Sequence, residues 1–161
     1  MDTYLSKFEN IVRRASAFTT HSEKSPEFIH PFDMRDIHPK LPENVRDLFD
    51  DGHYPQATFE AFKFIDKEVQ RLSAEIESGV KLMMKVFSNT SPILTLTPCS
   101  SISDQDEQKG YQFLFAGSIL AIRNPRGHEY SVKDDPDICL DHLSLASVLL
   151  RRLEKAGYTL K

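Results

Sequence analysis

The 161-residue chain has no tryptophan, only two cysteines and only six glycines. Cys99 and Cys139 lie far apart, form no CxxC pair and have no histidine at metal-ligand spacing. A small secreted scaffold carries more cysteine, so a reduced, cytoplasmic setting is expected, with neither disulfide nor metal site. The longest nearly apolar stretch, 113–122, is half of the roughly 20 residues that a membrane helix needs, and it runs into Arg123. No membrane association is expected. The first nine residues, Met-Asp-Thr-Tyr-Leu-Ser-Lys-Phe-Glu, place charge where a signal peptide is apolar, so export is not expected either. Internal repeats, low-complexity tracts, a Gly-rich phosphate loop and a His-Glu-x-x-His pair are all missing, which excludes solenoids, P-loop enzymes and zincins. An excess of positive charge is missing too: 20 Lys+Arg stand against 24 Asp+Glu, a formal charge of −4. A general nucleic-acid coat protein is thereby excluded, and any RNA contact must come from a local basic patch.

What remains is an ordinary globular composition, 40% hydrophobic and 27% charged. A chain of this length buries roughly 70% of its unfolded surface, enough to fold without a staple. Leu5, Phe8, Ile11, Val12 and Ala15 predict a leading amphipathic helix. Prolines at 26, 31, 39 and 42 then make a strap, so residues 1–30 are read as an N-terminal helix and linker and 31–161 as the main domain. Pro42 opens a short helix that stops at Asp51-Gly52. Thr58, Phe62, Ile65, Val69, Leu72 and Ile76 predict a long helix over about 55–77, with Phe59, Ala61 and Phe64 widening its apolar face toward a bundle interior. Gly79 breaks that run, and a shorter helix through Met83 and Met84, both read as core, ends near Ser88. Residues 89–102 read as a loop with room for a tiny hairpin. Ser103 is the expected cap of a helix running through Ile122, in which Gly117 calls for a close helix crossing. Asp135-Pro136 opens the last helix and Gly157 follows its end. The sum is an all-α, up-and-down bundle of four to five helices.

One segment breaks this pattern: Arg123-Asn124-Pro125-Arg126-Gly127-His128-Glu129-Tyr130. Pro125 should end or kink the helix near Asn124 and let Arg123 and His128 converge. A planar, permanently charged guanidinium suits a phosphate, and an imidazole exchanges protons near neutral pH, so the pair has the chemistry of phosphodiester cleavage. Helix-stop chemistry with an inert surface histidine explains the same residues, and spacing alone leaves both readings open. Elsewhere Glu60 and Glu68 on the long helix are candidate supporting carboxylates, while His21, His30, His38 and His53 are scattered through turns and proline-rich segments.

The six residues from Arg123 to His128 match the signature of the HEPN domains: arginine, a polar residue, three more, then histidine. Further segments, Phe32-Asp33-Met34-Arg35-Asp36-Ile37-His38-Pro39, the helix from Phe59 to Leu72, and Asp106-Glu107-Gln108-Lys109-Gly110-Tyr111, resemble the bacterial Ymh branch of that superfamily. The resemblance covers residues 32–157. It implies a helical bundle acting as a homodimer, and a cofactor-free, metal-independent endoribonuclease of bacterial antiviral defence, abortive-infection or toxin–antitoxin systems, with an antitoxin or regulatory protein as partner. By carry-over Arg123 holds the scissile phosphate, His128 transfers protons and Asn124 orients them. Arg126 and Tyr130 are the expected substrate contacts, and in one toxin branch a tyrosine at the offset of Tyr130 is modified by a nucleotidyltransferase antitoxin. The helix bearing Ala116, Gly117 and Ser118 is expected at the dimer interface. Two alternatives stand beside this: a catalytically silent HEPN domain that binds RNA or protein in a larger defence complex, and a purely structural helical partner.

Overall fold

The computed structural model of the chain describes Phe8 and residues 29–129 and 132–161. All but one residue of the predicted leading helix, and Tyr130, lie outside the described residues. The chain divides into two units, Met1–His30 and Pro31–Lys161, and the architecture below is that of the second. Its elements are α1 (Pro31–Met34), α2 (Glu43–Asp50), α3 (Tyr54–Ser73), α4 (Gly79–Val86), α5 (Ile102–Ser118), a π-helical turn (Ile119–Arg123), α6 (Asn124–His128) and α7 (Pro136–Lys155). Among the described residues there is no strand, and the predicted all-α bundle is what forms. The tiny hairpin is absent: 89–100 is turns and bends.

Helix α3 is the axis of the bundle, packing against α2, α4, the π turn, α6 and α7. Its Ala57, Ala61, Phe62, Ile65 and Val69 are fully buried, at the spacing that puts them on one face. Leu143, Ala146, Leu149, Leu150 and Leu153 of α7 meet them, and Leu82, Met83 and Val86 of α4 close another side. Phe87 stacks on Phe115 of α5 with ring centroids 4.4 Å apart. Met84, read from sequence as core beside Met83, lies at the surface.

Two helix boundaries and one glycine differ from expectation. Helix α3 stops at Ser73, with Ala74 in the left-handed region at φ 55°, so Ile76 is 92% exposed instead of extending the core stripe. The cause is a side chain: Gln70 Nε2 donates to the carbonyls of Ile76 and Glu77, folding the chain back over its own last turn. The α5 cap is Ser101, not Ser103. Ser101 Oγ accepts from Asp104 N while Asp104 Oδ2 accepts from Ser101 N, a reciprocal capping box. Gly117, for its part, answers to no close crossing among the described residues: a Cβ placed there meets nothing within 4 Å, and the exposed Phe113, Leu114 and Leu120 surround it on the outer face.

Two buried polar groups lock the helices. Gln108 of α5, fully buried, accepts from Leu96 N at 2.7 Å and donates to the carbonyls of Phe87 and Leu94, fixing the 87–96 loop. Asp66 of α3, 2% exposed, accepts from the backbone of Gly79 at 2.7 Å and so ties the start of α4 to α3. Gly79 has φ +69°, a conformation glycine adopts without strain. Asp66→Ala leaves that amide without its acceptor and should lower stability by about 1–3 kcal/mol, read as a reduced urea midpoint with unchanged m-value.

Candidate functional site

Pro125 lacks an amide hydrogen, and in a continuous α-helix its ring would strike the carbonyl four residues earlier. The chain neither stops nor simply kinks there, as the sequence led one to expect. Instead α5 widens into the π turn, Asn124 N donates to Ile119 O five residues back, and α-helical geometry resumes through His128. Wide turns of this kind absorb a helix irregularity and re-aim the side chains beyond it.

Beyond the turn the two arginines part ways. Arg126 donates Nε to Asp134 Oδ2 at 2.6 Å and Nη2 to Asp134 Oδ1 at 2.7 Å, while Nη1 reaches Ile122 O at 2.8 Å. This bidentate pair is buried, the side chains being 8% and 4% exposed. Losing one partner of such a pair typically costs about 3–5 kcal/mol, because the other charge is stranded. Arg126, expected to touch substrate, therefore already holds a carboxylate and clamps α6 to the segment that enters α7. His142 Nδ1 lies 3.4 Å from Arg126 Nη2; since the guanidinium only donates, this nitrogen accepts and the proton sits on Nε2. Burial, and then the charge of Arg126, hold the His142 pKa below its ordinary value, so the ring is neutral. Burial also pushes the Cys139 thiol up to about 11, which keeps it protonated.

Arg123 has no such counter-ion. Its Nη1 donates to Asn124 Oδ1 at 3.3 Å, its guanidinium carbon lies 5.3 Å from the centroid of Phe59, and its Nε is buried without a hydrogen-bond partner. Among the described residues no carboxylate pairs with it. Phe59 also packs against Gly127, where an added Cβ would stand 2.7 Å from the ring. One aromatic ring from α3 thus floors both the arginine and the turn carrying His128. His128 itself is exposed and lines a cavity of about 270 Å³ with Pro55, Gln56, Arg126, Gly127, Glu129 and Val132. Arg123 is not part of its lining; it is linked to the cavity through Phe59, which packs against the lining residue Gly127.

The other candidates are occupied elsewhere. Glu68 accepts from Arg71 and from Lys161 N, and Glu60 accepts from Lys63, so neither supports the motif as a carboxylate. His38 lines a separate cavity of about 490 Å³, but Nδ1 accepts from Lys40 N and Nε2 meets Glu154 at 3.1 Å, so both nitrogens are used. Among the described residues no three His, Cys, Asp or Glu side chains gather as a metal site. None of the described helices is long and apolar enough to cross a membrane. Sequence reading missed Asp134 and His142 and gave Phe59 to the core. Asp134 stands directly before the recognised Asp135-Pro136 cap, but its partner lies eight residues earlier, at a spacing that no helical period links to it.

The described residues thus form an all-α bundle in which one ring, Phe59, packs against both an arginine without a carboxylate partner among them and the glycine that precedes an exposed histidine. Residues 35–153 match the family model described as "Protein of unknown function (Hypoth_ymh)", and the chain belongs to that family. No curated protein and no solved structure matches it.

Gly127→Ala should drive Phe59 off its seat, displace Arg123 and cost about 1–3 kcal/mol. Phe59→Leu in the same chain should recover part of that loss, a coupling visible in a double-mutant cycle of urea midpoints. His142 adds a pH dependence. Its folded pKa is lowered, so the unfolded chain binds its proton more readily; its contribution is complete above 6.5 and fades as pH falls through 6.5 toward the folded value. Stability measured between about pH 7.5 and 5 should therefore fall less steeply in His142→Gln than in the parent.

Proposed function

We propose that this chain is a HEPN-type endoribonuclease of a bacterial defence or toxin–antitoxin system. The observation that carries the reading is the charge on Arg123: a guanidinium that no carboxylate among the described residues pairs with, held against Phe59 and Asn124, five residues before the His128 that lines an open cavity. A half-buried cation that no carboxylate among the described residues pairs with is open to an anion from outside, and a planar guanidinium fits a phosphodiester.

In this mechanism Arg123 binds the non-bridging oxygens of the scissile phosphate. His128 removes the proton of the ribose 2′-hydroxyl, whose oxygen attacks phosphorus, and the 5′-oxygen leaves with a proton from a second imidazole. The products end in 2′,3′-cyclic phosphate and 5′-hydroxyl. Because the nucleophile belongs to the substrate, the reaction requires no activated water and no metal. An in-line approach needs a pliable backbone, so single-stranded or looped RNA is the substrate. Asn124 orients Arg123 through the 3.3 Å bond, and Arg126 positions the turn by way of Asp134. We infer that the second imidazole comes from another copy of the chain. The exposed face of Phe113, Leu114, Gly117 and Ala121 forms an apolar groove of about 320 Å³ whose far end, at Ala121 and Ile122, immediately precedes Arg123 in the chain. Two such faces in contact would set the motifs opposite one another. The cellular setting, with an antitoxin or other regulator, rests on the HEPN resemblance.

The test is cleavage of mixed RNA in excess EDTA by the parent and by His128→Ala. The parent should cut and leave cyclic phosphate ends, and the variant should lose at least about 10²-fold in rate with its helicity and mass unchanged. Equal cutting by both proteins overturns the nuclease assignment, as does activity that vanishes with chelator and returns with Mg²⁺. Binding of RNA by a parent that never cuts assigns the chain to the silent class of the fold.

A further inference from the structure

We propose that one solvent-facing, partly exposed stripe of α3 is the strand-binding track of this site, with Lys63 and Lys67 taking backbone phosphates beyond the one held by Arg123; the inference rests on the nuclease reading above. Gln56, Phe59, Lys63 and Lys67 recur at intervals of three and four residues and so share one helix face. The stripe begins in the site itself: Gln56 lines the His128 cavity, and Phe59 underlies Arg123 and Gly127. Lys63 Nζ lies 5.8 Å from the centroid of that same ring, so a single aromatic side chain carries two cations, Arg123 and Lys63. Each is attracted to the ring, and each repels the other. An anion running over both relieves that repulsion.

The partners on this face are weak ones. Lys63 has a side chain 45% exposed and is held by Glu60 on its own helix at 2.9 Å and 3.1 Å, a part-buried pair three residues apart that water still reaches and that a phosphate can displace. Lys67, also exposed, donates to the neutral amide of Gln70. The nearby carboxylate of Asp66 is buried on the Gly79 amide. From Gln56 to Lys67 the track spans about 16 Å of helix, longer than a mononucleotide needs and suited to several consecutive phosphates. It also supplies the second phosphate contact that Arg126, closed on Asp134, does not offer. Contacts of this kind fix the position of the strand without reading its bases.

The experiment uses the full chain carrying His128→Ala, so that the RNA survives, and a fluorescein-labelled 12-nucleotide oligouridylate read by anisotropy over a salt series. Lys63→Gln and Lys67→Gln should each weaken binding about three- to ten-fold near 0.1 M salt and reduce the slope of log K against log salt by about 0.7. Lys63→Arg should keep both values. Glu60→Gln, which breaks the same ion pair as Lys63→Gln, should instead tighten binding. A purely structural pair would make these two variants move together or not at all, and that result overturns the track, as does parental affinity and slope in both lysine variants. In either case a cutting parent keeps the nuclease reading intact. A parent chain that binds no RNA under these conditions overturns both.

Discussion

The buried Arg126–Asp134 pair is the constraint around which the rest of the site is arranged. Its two parallel bonds join α6 to the start of α7, and a third donor from the same guanidinium holds the carbonyl of Ile122 in the π turn. Ion pairs this dry contribute little net stability, since desolvation offsets most of the attraction, yet they penalise every arrangement that separates the partners. The pair therefore dictates where the turn sits more than how firmly the bundle folds. Once the turn is fixed, Gly127 lies against Phe59, and Phe59 fixes Arg123.

The division of labour between the two arginines follows from their surroundings. Both are permanently charged, and they sit three residues apart. Arg126 faces a carboxylate and a neutral imidazole inside the protein; Arg123 faces a hydrocarbon ring and an amide oxygen. A positive charge satisfied internally has little left for a ligand, whereas one resting on an aromatic face keeps most of its field available outward. Burial and partner, not residue type, decide which arginine is structural and which is open to chemistry.

Local chemistry was legible in the sequence; contacts across the chain were not. Pro42, Pro55 and Asp135-Pro136 mark true helix starts because a missing amide and a capping oxygen act within one turn. The core stripe of α3 was equally plain, since burial follows the helical period. Where two signals competed, the nearer geometry won. Ser101 caps α5 because Asp104, three residues on, can answer it, and Ile76 leaves the stripe because Gln70 folds the backbone over. The spacing of Arg123 and His128 was visible as a motif. The π turn, the seat on Phe59 and the clamp to Asp134 were hidden, because each depends on a change of helical pitch or on a partner outside its own helix, at a spacing that no residue pattern announces.

The clamp also bears on how the family can diversify. Arg126 answers at once to a carboxylate, a main-chain carbonyl and an imidazole that arrive from three stretches of chain. A relative that exchanges this arginine inherits three unmet obligations together, and single steps away from it pass through a stranded charge. Residues 126, 134 and 142 are thus expected to change in concert or to stay.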